Sequence, residues 1–250
     1  MPLLQLTVAY EGTRYAGWQR QKNAPTVQAV VEDALRRIIG KRVTVTAAGR
    51  TDSGVHAQGQ VIHAHAETSL APAVLRRALN ALLPEDVLVR RVSAAPSAFH
   101  ARYHAVRKRY RYRIATGPLR PLAERRYVHF VPQPLDVNAM RRAARFWVRR
   151  HPYAAFDASG RPAGATRQPG ATRRRVYAIR IRRQGREVWV DITADGFLYR
   201  MARRMVGTLL EIGKGRWPVS TAKALLSRPG CVCAPTAPAR GLCLMEVAYR

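Results

Sequence analysis

One carboxylate in the first half of the chain stands apart from the other acids. Asp52 lies in the segment Gly49-Arg50-Thr51-Asp52-Ser53-Gly54-Val55-His56, and no other acid occurs at positions 34–66. A strand-like run that ends at the first glycine, followed by a loop bounded by the second, can expose a side chain at a cleft. The cation Arg50 would favour the ionised carboxylate and orient it. Such an aspartate can act as a nucleophile or a general base.

The same pattern also fits a purely structural role. An aspartate in a tight turn commonly bonds to its own backbone. Composition and local pattern alone favour that interpretation of Asp52. A catalytic interpretation therefore needs support from residues elsewhere in the chain.

The charge of the chain indicates a polyanionic partner. Of 250 residues, 44 are Lys or Arg and 15 are Asp or Glu, which gives a formal net charge of +29. Self-repulsion on that scale opposes compaction unless a polyanion or counterions offset it. Nucleic acid fits, because each neutralised phosphate releases condensed counterions. A membrane ranks well below it, because the sequence contains no long basic amphipathic helix and no apolar stretch of spanning length.

The kinds of basic residue and the cysteines add weaker information. Only five of the basic residues are lysines, and the other 39 are arginines. Arginine forks onto phosphates and stacks on bases, which suits RNA, although a GC-rich genome would produce the same bias. Three cysteines do not suggest a disulfide framework, and we recognise no signal peptide, so we expect a cytoplasmic protein.

Strand and helix patterns alternate through the first half of the chain. Leu4–Tyr10 alternates as a half-buried strand. Thr26 can cap a helix that Gly40 closes. Val43–Ala48 and Gln58–His65 are predicted strands on either side of the Asp52 loop.

The second half repeats this mixture. Asp136 can cap a helix that runs to about Arg149, and Phe197–Ile212 is a long helical pattern. Val176–Arg182 and Glu187–Thr193 are predicted to form a hairpin. We therefore expect an α+β chain of two comparable halves, residues 1–105 and 106–250.

One segment between the predicted elements is unusually basic. Ser159–Arg175 is rich in Gly, Pro, Thr and Arg, which is typical of a mobile loop that wraps RNA. The alternative is an ordinary solvated surface loop.

Several motifs in order carry a resemblance to a known family. The Asp52 segment resembles the signature G-R-T-D-[AS]-G-V-H of the tRNA pseudouridine synthase A family, whose catalytic aspartate falls on Asp52. Glu11 stands where the family usually has Asp, and Ala202 where it usually has a larger apolar residue. Further matches span nearly the whole chain: Tyr10–Gln21, Phe99–Arg102, Lys108–Tyr112, Met201–Gly207 and Gly241–Leu244.

The resemblance implies a reaction, a fold and a partner. The family isomerises uridine to pseudouridine in the tRNA anticodon arm, at nucleotides 38, 39 and 40, and needs no cofactor. Its fold has mostly antiparallel sheets and packed helices flanking a central basic cleft. The first half would carry the catalytic Asp loop, and the second would complete the cleft. The family is usually homodimeric, and the target base must leave the helix stack to be reached.

The resemblance also assigns candidate site residues. Asp52 would be the nucleophile or base, and Arg50 would fill the gap left by the flipped base or hold the carboxylate. Tyr110 would stack on the uracil, although its alternation along a strand equally fits core packing. Arg203 would pair with Asp52, and Arg102 would grip a phosphate; a surface arginine and a solvated strand end are the alternatives.

No metal site is predicted. His63 and His65 share a strand face, but no acid or cysteine ligand lies at a familiar spacing. Cys231-x-Cys233 has no second pair of cysteine ligands in the sequence, and we interpret it as a loop with two thiols that bind no metal.

Two other classes of function stay open at this point. The charge alone would support a protein that binds structured RNA without catalysis. A hydrolase that uses Asp52 is a weaker alternative.

Overall fold

The structure, a computed structural model, describes residues 3–159, 170–227 and 234–250. Within these ranges the strands are β1 (Leu3–Tyr10), β2 (Thr46–Ala47), β3 (His56–His65), β4 (Val87–Ala95), β5 (Ala105–Thr116), β6 (His129–Val131), β7 (Arg150–Pro152), β8 (Arg173–Gln184), β9 (Glu187–Ala194) and β10 (Leu242–Tyr249). The α-helices are α1 (Val27–Ile39), α2 (Pro72–Leu82), α3 (Val137–Arg145), α4 (Met201–Gly213) and α5 (Ser220–Ser227). Cys231-x-Cys233 and residues 160–169 of the basic segment lie outside the described residues.

The chain divides into two compact units. One comprises residues 1–106 and 243–250, and the other comprises residues 107–242. In the first unit the strand order is β4-β1-β3-β10, with β2 beside β3. β1 is antiparallel to both of its neighbours, and β10 is parallel to β3 where Cys243 faces His56. The last strand of the sequence therefore belongs with the first unit.

Helix α1 shows why the local sequence folds as predicted. The Thr26 side chain accepts a hydrogen bond from the Ala29 backbone N–H, and Gly40 ends the helix with φ +75°. The apolar face of α1 buries Val27, Val31 and Leu35 completely. The predicted caps are confirmed.

The strand predicted at Val43–Ala48 is wrong in extent, because only Thr46–Ala47 pairs. Val45 explains the difference. Its backbone N–H donates to the Glu32 side chain at 3.0 Å, and its carbonyl accepts from the Gln28 side chain at 3.3 Å. Side chains of α1 thus satisfy backbone groups that would otherwise bond to a strand.

The second unit contains an antiparallel sheet in the order β5-β9-β8-β7, and β6 lies parallel to β5. The predicted hairpin is confirmed: Gln184 faces Glu187, and Gly185 takes φ +56° in the turn. Helices α3, α4 and α5 also belong to this unit. Each unit combines helices with mostly antiparallel strands, which confirms the predicted α+β class.

The helix predicted from Asp136 ends at Arg145, earlier than expected. Asp136 does cap it, since its side chain accepts from the Ala139 N–H at 2.8 Å. Beyond the helix, the Tyr153 hydroxyl donates to the carbonyls of Trp147 and Arg149. These tertiary bonds occupy carbonyl groups that lie within the predicted extension.

Two further predictions are corrected by local backbone geometry. The long helix begins at Met201 instead of Phe197, because Arg200 adopts a left-handed conformation with φ +56° directly before it. The end of the predicted basic loop, Arg173–Arg175, is part of β8, where it pairs with Arg150–Pro152.

His129 gives the second unit a testable dependence on pH. Its Nδ1 atom is buried without a hydrogen-bond partner among the described residues. Burial, together with the charges of Arg240 and Lys214, lowers the pKa of His129 to about 4. An unfolded chain takes up this proton nearer pH 6.5, so the free energy of unfolding should decrease as the pH falls from about 6.5 to 4.

We expect the variant His129→Gln to lose this part of the pH dependence. Denaturant midpoints measured between pH 4 and 7.5 would show a flatter profile for the variant than for the wild type. His65→Gln, which alters an exposed histidine, is the control. Superimposable profiles for wild type and His129→Gln would contradict this account.

Candidate active site

The Asp52 loop leads from β2 to β3 and is fixed to the sheet at its start. The Ala48 N–H donates to the Val61 carbonyl at 2.8 Å. The Gln60 side-chain amide donates to the Gly49 carbonyl at 2.7 Å. The accepting carbonyl of Val61 and the donating amide of Gln60 both belong to β3, so the start of the loop is held in place by this strand.

A buried polar cluster supports the middle of the loop. The hydroxyls of Tyr10 and Thr51 are 2.8 Å apart, and the Gln60 amide reaches the Tyr10 hydroxyl at 3.5 Å. All three side chains are buried. Burial raises the pKa of Tyr10, while its hydrogen bonds to Thr51 and Gln60 act in the opposite direction. The Tyr10 hydroxyl therefore stays neutral and can hold Thr51, the residue directly before Asp52.

A second segment of the chain holds the far side of the loop. The Trp18 N–H donates to the Thr51 carbonyl at 3.1 Å. The Tyr15 carbonyl accepts both the Gly54 N–H, at 3.3 Å, and the Ser53 hydroxyl, at 3.2 Å. Asp52 is thus flanked on both sides by residues that are tied to positions 15–18.

Glycines allow this close approach of two backbones. Gly17 has φ +97°, and a Cβ at that position would lie 2.6 Å from the Thr51 carbonyl oxygen. A Cβ on Gly12 would overlap the Val55 carbonyl, while the Gly12 N–H donates to Nδ1 of His56 at 3.0 Å. His56 is therefore a support of the turn through its ring nitrogen.

The loop presents its neighbouring side chains differently. Thr51 is buried, Asp52 is half-buried and Arg50 is exposed. In the part of the chain that the structure describes, the Arg50 guanidinium forms no ion pair. The Val55 N–H donates to the Asp52 backbone carbonyl at 3.1 Å, so the turn is closed by main-chain atoms. Asp52 is held in place by its neighbours and is partly open to solvent.

Arg102 also lies in the first unit, on a turn after β4. Its side chain is exposed, and its guanidinium carbon is 5.8 Å from the centre of the Tyr103 ring. The preceding residue, Ala101, is buried; its N–H donates to Nδ1 of His63 and its carbonyl accepts from the Tyr249 hydroxyl. His63 thus organises backbone. Among the described residues, no group of three or more His, Cys, Asp or Glu is placed to hold a metal ion.

Tyr110 lies on β5 of the second unit, facing Ile192 of β9. Only 7% of it is exposed, and its ring packs edge-on against Phe197 with centroids 4.9 Å apart. Tyr112 is fully buried and donates to the Pro238 carbonyl at 2.9 Å. Tyr110 is therefore a rigidly packed ring.

Arg203 is half-buried on α4, in the second unit. Its Nε atom donates to the Ala237 carbonyl at 2.7 Å, and its own carbonyl accepts the Ala237 N–H at 3.1 Å. Gly207 lets residues 234–238 approach the helix, because a Cβ at position 207 would overlap the Pro235 carbonyl. These contacts orient the Arg203 side chain along the 234–238 segment.

Comparison with known proteins decides the family. The family model described as tRNA pseudouridine synthase matches residues 6–104 and 150–250. The tRNA pseudouridine synthase A of Syntrophotalea carbinolica is 45% identical over 251 residues, covering 100% of this chain and 97% of the relative. The protein of the same name from Moorella thermoacetica is 45% identical over 253 residues and is covered completely, as is this chain.

The chain belongs to the tRNA pseudouridine synthase family. It is therefore an isomerase, and the resemblance carried by the Asp52 segment is confirmed. A chain of a Cbf5-Nop10-Gar1 complex matches with a TM-score of 0.34 and 17% identity, over 83% of this chain and 45% of that one. Within the described residues, no helix is both long and apolar enough to cross a membrane.

In this pseudouridine synthase, the cluster beneath the loop was not anticipated from the sequence. In the sequence, Tyr10 ends a predicted strand and begins a motif of the family, and Gln60 lies on another predicted strand. Neither pattern indicates a contact between the two. The available signal was a glutamine directly before the apolar pair Val61-Ile62 of a predicted strand, where a buried amide requires a partner. Its partners are the Gly49 carbonyl and the Tyr10 hydroxyl, and Tyr10 lies 50 residues away in the sequence.

We expect Thr51→Val to lower kcat about tenfold, because a displaced loop misplaces the carboxylate that it carries. The substitution keeps the shape of the side chain and removes the hydroxyl bonded to Tyr10. The KM for tRNA should change little, and stability should fall by about 1 kcal/mol. Steady-state conversion of a tRNA transcript and denaturant unfolding measure these quantities.

Thr51→Ser is the matched control, since it keeps the hydroxyl and should retain most of the activity. A Thr51→Val enzyme with wild-type kcat would show that the Tyr10–Thr51 bond does not position the loop.

Proposed function

We propose that this pseudouridine synthase isomerises uridine at nucleotides 38, 39 and 40 of the tRNA anticodon arm, with Asp52 as its catalytic residue. The observation that carries the proposal is the half-buried Asp52 on a loop whose neighbours on both sides are pinned by hydrogen bonds. A carboxylate held in this way loses little entropy when it meets a substrate.

The reaction requires only groups that the chain supplies. The N1–C1′ bond of uridine breaks, the base turns, and a C5–C1′ bond forms. The proton on C5 leaves and N1 gains one, so atoms and electrons balance without an oxidant or reductant. Asp52 can attack C1′, attack C6 or remove a sugar proton; each route uses an ionised carboxylate as nucleophile or base.

The other candidate residues have distinct proposed roles. Tyr110 would stack on the flipped uracil, and its rigid packing against Phe197 supports a fixed ring plane. Arg50, exposed two residues before Asp52, would occupy the space that the flipped base leaves or contact a phosphate. Arg203 would form an ion pair with Asp52. Arg102 would contact a phosphate from its exposed turn.

The charge of the chain supports a large RNA substrate. A net charge of +29 would favour a polyanion such as the anticodon arm through counterion release. The basic segment that begins at Ser159 is a further candidate contact. We also propose a cytoplasmic homodimer, which is supported by resemblance to the family and which light scattering of the purified protein can test.

We expect Asp52→Asn to abolish isomerisation. Asparagine has nearly the same shape but carries no charge, so tRNA should still bind while turnover falls by at least about 10³-fold. The measurement is pseudouridine formed in a tRNA transcript, with binding affinity and melting temperature determined on the same preparations. Asp33→Asn, which makes the same change at an exposed carboxylate on α1, is the control.

The alternatives make different products. An active wild type and an equally active Asp52→Asn would remove Asp52 from the chemistry. A wild type that binds tRNA but converts no uridine would support RNA binding without catalysis. Release of free uracil would indicate a hydrolase.

A further inference from the structure

The turn that carries Arg102 also exposes an aromatic ring. Tyr103 is 74% exposed, although it is a large side chain with a substantial apolar surface. Its ring stacks on the His100 imidazole, with centroids 4.3 Å apart and an interplanar angle of 29°. His100 stacks on the ring, the Arg102 guanidinium carbon lies 5.8 Å from the ring centre, and most of the side chain remains accessible.

The support beneath Tyr103 is rigid. Nδ1 of His100 accepts the backbone N–H groups of both Arg102 and Tyr103, each at 3.2 Å. His100 also contacts His63, with ring centroids 4.7 Å apart, and His63 is buried in β3. The imidazole therefore connects the exposed ring to the core of the first unit.

Two other exposed tyrosines in the described ranges lack this arrangement. Tyr177 and Tyr199 are 40% and 49% exposed, and each lies beside an arginine. Neither is stacked on a second ring among the contacts described. Tyr103 combines the greater exposure, a stacked support and an adjacent cation, Arg102.

We propose that Tyr103 is a stacking platform for an unpaired base of the RNA substrate, with Arg102 contacting the adjacent phosphate. An aromatic ring held flat on a second ring offers its free face without losing conformational entropy, and every nucleobase has a complementary π-face. The positive charge of the chain favours an anionic partner. A nucleic acid also offers the exposed ring a base to stack on, which an acidic protein segment lacks. This inference rests on the proposed tRNA substrate.

The test is the affinity for an unmodified tRNA transcript at fixed salt. We expect Tyr103→Ala to weaken binding about 5- to 100-fold and Tyr103→Phe to bind like the wild type. Leu119→Ala is the control, because Leu119 is 76% exposed and loses a comparable apolar surface. Melting temperatures verify that each variant is folded.

The salt dependence of the tRNA affinity distinguishes the role of Arg102 from that of Tyr103. Arg102→Gln should reduce the slope of log affinity against log salt concentration by about one phosphate contact, whereas Tyr103→Ala should leave the slope unchanged.

Three results would overturn the platform. Tyr103→Ala could bind within twofold of the wild type, or Tyr103→Phe could bind as weakly as Tyr103→Ala. A change in oligomeric state caused by Tyr103→Ala would instead identify a protein contact. Each result can occur with a fully active wild type, so failure of the platform is distinct from failure of the proposed isomerisation, which is measured by product formation.

Discussion

The backbone of residues 49–55 must be satisfied without a helix or a continuous strand, and this constraint determines how the first unit is built. Its backbone partners come from positions 15–18 and from β3, and the Tyr10 side chain of β1 bonds to the Thr51 side chain. The pairing of β1 with β3 is irregular between Val8 and Tyr10, at the point where the Tyr10 hydroxyl meets Thr51. A local irregularity of this kind re-aims side chains. The position of Asp52 therefore depends on segments that the sheet brings together.

The scarcity of acids shapes the second unit in a different way. Asp191 is 5% exposed and accepts a two-point contact from Arg111, with Arg109 and Arg182 also within 4 Å. Arg111 also lies over the Trp189 ring at 4.2 Å. One buried carboxylate thus organises several cations, which keeps a charge-rich sheet face ordered.

Much of the fold could be predicted, because local signals agreed with the tertiary structure. The caps at Thr26 and Gly40 and the hairpin at Gly185 each depend on one residue and its near neighbours. Predictions of element bounds failed where side chains from another segment form hydrogen bonds to the backbone. Glu32 does so at Val45, and Tyr153 does so after α3. For the site, the motif predicts Asp52 as the catalytic residue, and this role stays a prediction; the contact between Tyr10 and Gln60 was missed because it spans 50 residues. The stacked pair of His100 and Tyr103 was also missed, because the exposure of a side chain depends on the tertiary structure.

We propose that this chain makes pseudouridine at nucleotides 38, 39 and 40 of the anticodon arm. The most direct measurement maps pseudouridine in tRNA from cells of the source organism that lack the gene, before and after its reintroduction. The account predicts that pseudouridine disappears from nucleotides 38, 39 and 40 and returns with the wild-type gene. Persistence at those three nucleotides in the deletion, with loss elsewhere or nowhere, would contradict it.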